Sequence, residues 1–388
     1  MHTQARPIDR PFWTPGVLVM IGLMAAGGLA LLSRYTGGLG FATNLTDATP
    51  WGLWIGIDVA SGVALAAGGF TTAALAHIFG RHAYEAVTRP ALLTAALGYT
   101  FVAFGVTIDV GRSWAIWKPM FYHNYNSALF EVAMCVMTYV TVLWIEMVPI
   151  VAERFGSRFR LLGWLDRTLG KFMWVFIILG VVLSCMHQSS LGTLLVIAPT
   201  KLDPLWYTSL LPLLFLLSAV SVGYPMVIVE TTIATTSLKL DGEMEVLTPL
   251  SRFTILTLGL YLAVKIADLV LRGQLGRAFS GSPASISFLV ELFIGGVVPW
   301  LMLLSSKVRR SRRALFVVAL CIVGGVLLNR INVFVVGFSP RTAAHPYSPA
   351  MGEILVTLGA AATIMFLYRV FVSFTPVLSA RTMKEVSR

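Results

Sequence analysis

Charge is what this sequence has least of. Asp, Glu, Lys and Arg make up only 12% of its 388 residues, about half the share of an ordinary soluble domain. That scarcity excludes a solvated globular surface of the usual kind. Cysteine is scarcer still: Cys135, Cys185 and Cys321 stand far apart, each inside an apolar stretch. With no CxxC pair and no cysteine run, the chain offers neither an iron–sulfur ligand set of its own nor a disulfide framework. The three thiols read as small packing residues. Long polar connections are also missing, which leaves no soluble domain beside the apolar runs.

What remains is hydrophobic. Apolar residues make up 57% of the chain and the mean hydropathy is +0.80. The apolar residues gather into ten runs, near 15–33, 53–78, 91–110, 127–151, 172–196, 207–236, 251–271, 286–304, 314–328 and 352–368. Each is close to the ~20 helical residues that cross a hydrocarbon core ~30 Å thick. The first run exceeds the ~7–15 residues of a signal-peptide core and is followed by no clean A-x-A site, so it reads as a retained span. The short ninth run is expected to extend toward Val336 and leave Asn329 and Arg330 in the outer interface. Pro212 and Pro225 predict a bend in the sixth. The reading is an all-α integral membrane protein, one polytopic domain over 1–388, with the lipid bilayer as its solvent.

The net charge of +11 therefore reports topology and calls for no nucleic acid. Alternate connections and the two ends hold 20 Lys and Arg, Lys239, Arg381, Lys384 and Arg388 among them; the opposite side holds 8, Arg341 included. The basic side is expected to be cytoplasmic, and an even number of spans then places both termini there.

Carboxylates inside a membrane cost about 2.5–3.5 kcal/mol each and normally face a cavity or a partner. Eight of the 18 acidic residues fall inside the runs: Asp58, Asp109, Glu131, Glu146, Glu230, Asp268, Glu291 and Glu353. Six lie in the outer half; Glu146 and Glu230 lie toward the cytoplasm. Lys265 and Asp268, three apart, are expected to neutralise each other. Asp109 and Arg112 share that spacing, as a structural or a functional pair. Glu353 suits a helix N-terminus, and Glu291 an ion pair with Lys265 or Arg330. Asp58, Glu131, Glu146 and Glu230 have no basic neighbour on their own helix, so for them the functional reading leads.

At 100° per residue, Glu131, Cys135, Thr138, Val142 and Glu146 form one stripe of the fourth span, its two carboxylates about 22 Å apart along the axis. They are expected to be stations of a proton path, with Thr138 between. His187 lies in the outer third of the fifth span, whereas His77 ends the second span on the cytoplasmic side. Those opposite depths do not suit a bis-histidine haem, and His187 reads as a hydrogen-bonding or proton-handling group.

Several of these residues sit in recognisable surroundings. The stretches are Pro50-Trp51-Gly52-Leu53-Trp54-Ile55-Gly56-Ile57-Asp58, Ala67-Gly68-Gly69, Arg89-Pro90-Ala91-Leu92-Leu93, Gly98-Tyr99 and Ile108-Asp109-Val110-Gly111-Arg112. They continue with Asn126-Ser127-Ala128-Leu129-Phe130-Glu131, Met186-His187-Gln188-Ser189-Ser190-Leu191-Gly192 and Val227-Ile228-Val229-Glu230. With these the chain resembles the HybB-like membrane subunits of hydrogenase-2-type nickel–iron hydrogenases, within the NrfD and polysulfide-reductase superfamily. The resemblance implies two four-helix bundles, over 53–196 and 207–328, plus flanking helices. It implies a quinone (menaquinone or ubiquinone) as substrate in the first bundle near the periplasmic face, with no haem or iron–sulfur cluster on this chain. It further implies electrons from a periplasmic ferredoxin-like iron–sulfur subunit fed by nickel–iron hydrogenase subunits, in a bacterial inner membrane. Asp58, His187, Asp109, Arg112 and Tyr99 are the expected quinone residues; Glu131, Glu146 and Glu230 are those for proton transfer. Relatives of the fold also serve molybdopterin oxidoreductases, sulfur-metabolism complexes and alternative complex III. A proton-coupled secondary transporter is the alternative of a different class, and it would hold its site near the midplane.

Overall fold

The computed structural model describes residues 5–8, 10–81, 84–238, 240, 244–340 and 347–378. Lys239, Arg341, Arg381, Lys384 and Arg388, which entered the topology count, lie outside the described residues. No β-strand occurs among the described residues, and Leu202 and Phe338 form an isolated bridge. Among the described residues ten helices are long and apolar enough to cross a membrane: Pro15–Gly37, Trp54–Ile78, Glu85–Asp109, Ala128–Phe155, Arg160–Val196, Leu211–Ser237, Met244–Leu271, Pro283–Leu304, Arg312–Val336 and Met351–Phe374. They are called the first to tenth spans below. The chain is an all-α integral membrane protein.

The second span is the axis of the molecule. Of its most apolar stretch 83% is buried, against 17% for the first and tenth spans, and it packs on the third, sixth and ninth. Its backbone is unusual for a crossing helix. Trp54–Ser61 and Ala74–Ile78 are wound as π-helix, with the α-turns Gly62–Leu65 and Gly68–Ala73 between them. Such wide turns shift the side chains that follow and often accompany functional positions. The Asp58 side chain leaves the first of these turns.

The first and tenth spans run together on the outside of the assembly, joined where Gly27 meets Gly359; a Cβ on Gly27 would stand 2.9 Å from the Gly359 Cα. Pro212 opens the sixth span at its first turn, where a missing N–H costs nothing, and Pro225 lies inside a helix that continues unbroken from Leu211 to Ser237.

The ninth span does reach Val336, but Asn329 and Arg330 are not in an outer interface: they are 7% and 0% exposed. Arg330 stacks on the Phe215 ring at 3.8 Å and donates to Ser218 Oγ, the Phe215 carbonyl and Asn329 Oδ1. Beside it Glu291 accepts from Lys265, Asn329, Trp206 and Asn332. Lys265 thus pairs with Glu291 across helices and not with Asp268. Asp268 pairs instead with Arg272, at 2.8 Å, and accepts from Thr208 at 2.7 Å. Spacing on one helix put Lys265 and Asp268 within reach of each other, but Lys265 turns to Glu291 on the eighth span, while Asp268 takes Arg272 four residues on and Thr208 in the turn before the sixth span.

Candidate functional site

The expected site residues fall into two assemblies. The first is sealed between the second, third, fourth and fifth spans. His187 is 0% exposed. Its Nδ1 lies 2.6 Å from the Leu183 carbonyl and its Nε2 lies 2.5 Å from the Tyr99 hydroxyl. A carbonyl only accepts, so Nδ1 carries the proton and the neutral ring accepts from Tyr99 at Nε2. The Tyr99 hydroxyl has one proton, which leaves the Val63 carbonyl to the Gln188 amide, 2.8 Å away. Tyr139 packs edge-on to Tyr99, with centroids 4.5 Å apart, and lies 5.5 Å from the His187 ring. The Tyr139 hydroxyl, Ser184 Oγ and Gln188 Oε1 are buried here, with Ser184 beside both tyrosine hydroxyls, and none of the three atoms makes a hydrogen bond of regular geometry. Polar atoms so loosely satisfied at one place call for an explanation beyond packing.

The fourth span carries polar groups on both sides of this centre. Toward its N-terminal end, Glu131 accepts from Ser190 at 2.5 Å. Toward its C-terminal end, Tyr139 and Glu146 line one small cavity of about 10 Å³ with Gly180, near the least space that holds a water. Gly180 lets the carboxylate come close: a Cβ there would stand 2.9 Å from Glu146 Oε1 and displace it. Thr138, expected between the two carboxylates, is exposed and donates to the Met134 carbonyl. The polar group between them is Tyr139, one residue on, which turns into the bundle. Glu230 lies apart from this line, beside Thr94 and Tyr368, with one carboxylate oxygen buried and unpartnered.

The second assembly lies where the second and tenth spans begin and the third ends. Asp58 accepts from Thr357 at 2.8 Å and forms one wall of a cavity of about 130 Å³. Met24, Leu31, Phe101, Phe104 and Ile108 make most of the rest apolar, and Gly27, Gly105 and Gly359 keep it open. Gly28 and Phe104 at its rim are exposed on the outside of the assembly, so the cavity opens between the first, third and tenth spans. Asp58 feels the charge of Asp109, which itself lies among Glu353 and Arg34, with Oδ1 buried and unpartnered. It does not pair with Arg112, whose side chain is exposed in the turn beyond the helix. Arg34 is the nearby cation instead. It is 4% exposed and donates to the Ile108 and Val110 carbonyls, at 2.8 and 2.9 Å, at the exit of the third span. Glu353 is 0% exposed; it caps its helix by accepting from Ala350 N–H and also accepts from the Tyr347 hydroxyl, at 2.6 and 2.9 Å. Burial pushes the Tyr347 phenol above its ordinary range, so it stays a donor at neutral pH.

His187 and Tyr99 are thus brought together, and Asp58 and Asp109 are brought together. The two pairs are not in contact, and Arg112 belongs to neither. Tyr139, Gln188, Thr357 and Arg34 were missed as site residues. Tyr139 and Thr357 carry no sequence signal beyond being polar in an apolar run, and Arg34 read as a topological charge.

Residues 42–339 match the family described as polysulphide reductase, NrfD. The chain is 33% identical over 378 residues to the "Probable Ni/Fe-hydrogenase 2 b-type cytochrome subunit" of Escherichia coli K12, covering 96% of this chain and 93% of that one. It is 26% identical to the menaquinone reductase integral membrane subunit of Nitratidesulfovibrio vulgaris, covering 92% and 90%. It is 22% identical to a subunit of the selenate reductase of Mesobacillus selenatarsenatis, covering 95% of each. The first of these names speaks of a b-type cytochrome. In the present chain the residues do not fit one at His187: an axial ligand needs a free ring nitrogen, and both are engaged by protein atoms. His77 is exposed at the far end of the second span. Among the described residues no cluster of His, Cys, Asp and Glu suits a metal ion. The chain belongs to the polysulphide reductase NrfD family, as a membrane subunit of a redox complex.

Proposed function

We propose that this chain is the quinone-reactive anchor of a periplasm-facing redox complex, passing electrons from an iron–sulfur subunit to menaquinone or ubiquinone. Residues 53–196 are read as the bundle that handles the quinone and 207–328 as the second bundle, with the basic side and both termini cytoplasmic. The observation that carries the proposal is the Asp58 cavity. It is apolar, open toward the hydrocarbon, and bears a carboxylate with a second acid behind it. A quinone brings a hydrocarbon tail and two carbonyls. Its reduction consumes two electrons and two protons and yields the quinol, so a proton donor must stand beside a carbonyl.

Asp58 is assigned to hold one carbonyl and deliver a proton, with Asp109 as the acid that resupplies it. The Tyr99–His187 pair does not line this cavity, so it is assigned to relaying the second proton toward it and not to touching the quinone there, refilled along Tyr139 and Glu146 or from Glu131. Glu230 is assigned to proton movement on the inner side, and Arg112, exposed at the outer turn, to the approach of the electron-donating partner. The hydrogenase-like relative favours nickel–iron hydrogenase subunits as the catalytic partner; molybdopterin and sulfur-metabolism partners remain the alternatives. Membership of a redox-subunit family removes the ground for the transporter reading.

The test compares two acceptors in the assembled complex. Asp58→Asn and Tyr99→Phe keep shape and remove a proton. Each is expected to lower quinone reduction by about 100-fold or more, while a soluble dye, which takes electrons upstream of the membrane site, is reduced at the normal rate. Quinone reduction that survives both changes would place the site elsewhere.

A further inference from the structure

We infer that the elbow between the fourth and fifth spans is a binding site for anionic phospholipid headgroups. The helix Arg160–Leu169 precedes the membrane-crossing part of the fifth span, and none of its side chains is buried. At 100° per residue, Leu161, Leu162, Leu165 and Leu169 share one arc while Arg160 and Arg167 lie on the opposite one. Leu161 is exposed and Leu162, Leu165 and Leu169 are half-buried, none of them part of the buried core; such an arc, on a helix continuous with a spanning segment, belongs in the boundary between acyl chains and headgroups.

The charge on this elbow selects the occupant. Arg154, Arg158, Arg160, Arg167 and Lys171 are all exposed, and Asp166 is the one acid among residues 154–171. Among the described residues, no carboxylate lies within ion-pair distance of any of the five. Contrast Arg89 close by, which is held by Glu153 at 2.8 Å. Five unpaired cations on a surface with an apolar arc match a phosphate layer above acyl chains, and each basic group near such a surface contributes about 1 kcal/mol. Trp164 and Trp174, 54% and 66% exposed, fit the depth of the interface. A water-soluble protein partner would leave the leucine arc without a reason.

The experiment uses the full chain in vesicles that mix phosphatidylglycerol with phosphatidylcholine, one of the two carrying brominated acyl chains. Bromine quenches nearby tryptophan, and subtracting the Trp164→Phe signal isolates the elbow. Brominated phosphatidylglycerol is expected to quench Trp164 with at least about fivefold the relative affinity of phosphatidylcholine, a preference that molar salt removes. The triple change Arg158→Gln, Arg160→Gln and Arg167→Gln should bring the ratio to about one, because these side chains support no core. A matched control with Lys307→Gln, Arg310→Gln and Arg313→Gln, exposed in another connection, should keep the preference. Equal quenching by the two lipids overturns the inference. So does a preference that survives the elbow change, as under a protein partner, or one lost equally in the control.

Discussion

Asp58 and Glu291 are both carboxylates inside the membrane, and their surroundings assign them opposite work. Glu291 is fully committed, accepting from four side chains; Asp58 accepts from Thr357 and otherwise faces open space. Lys265→Met would strand Glu291 and is expected to cost about 3–5 kcal/mol, seen as a lower unfolding temperature in detergent. Adding Glu291→Gln should recover most of that loss. Glu131→Gln and Glu146→Gln leave folding intact under the proposed path. The first should slow quinone turnover and charge movement together, the second proton uptake from the inner side, read with a pH dye inside vesicles. Unchanged uptake at unchanged turnover in both would leave the path without support. Sequence alone separated these acids only in part. A carboxylate without a basic neighbour on its own helix stood out, and that singled out Asp58, Glu131, Glu146 and Glu230. It could not see that Lys265 turns to the eighth span rather than to Asp268, because contacts between helices have no signature in local spacing.

Helices approach most closely where they have no side chain. A Cβ on Gly295 would strike the Gly325 backbone, which holds the eighth span against the ninth. Gly325→Leu must push those helices apart and is expected to cost about 1–3 kcal/mol or more, with loss of assembled protein before any loss of specific activity. The ten spans were legible as runs, since a hydrocarbon core demands about 20 apolar residues whatever the fold. The π-helical winding of the second span was not, because its residues are compatible with an ordinary helix and only the packing around it selects the wider turn. The helix Arg160–Leu169 also lies within a connection that reads as merely basic, because its leucines are too few to signal a span.

On the scale of the whole molecule, the two polar assemblies of the first half occupy different settings. His187 is enclosed, while Asp58 stands at a mouth between spans. Enclosure engages both imidazole nitrogens, so the purified complex is expected to show no stoichiometric b-type haem spectrum assignable to this chain; such a spectrum would defeat the assignment of His187. The opening beside Asp58 has a kinetic consequence. A substrate that arrives sideways from the bilayer is diluted by lipid and not by water. For a fixed amount of quinone and complex, doubling the phospholipid should roughly halve the rate below saturation, whereas doubling the buffer volume should leave it unchanged. The apparent KM is then a mole fraction of the membrane, and the cell sets the speed of this subunit by how much quinone its lipids hold.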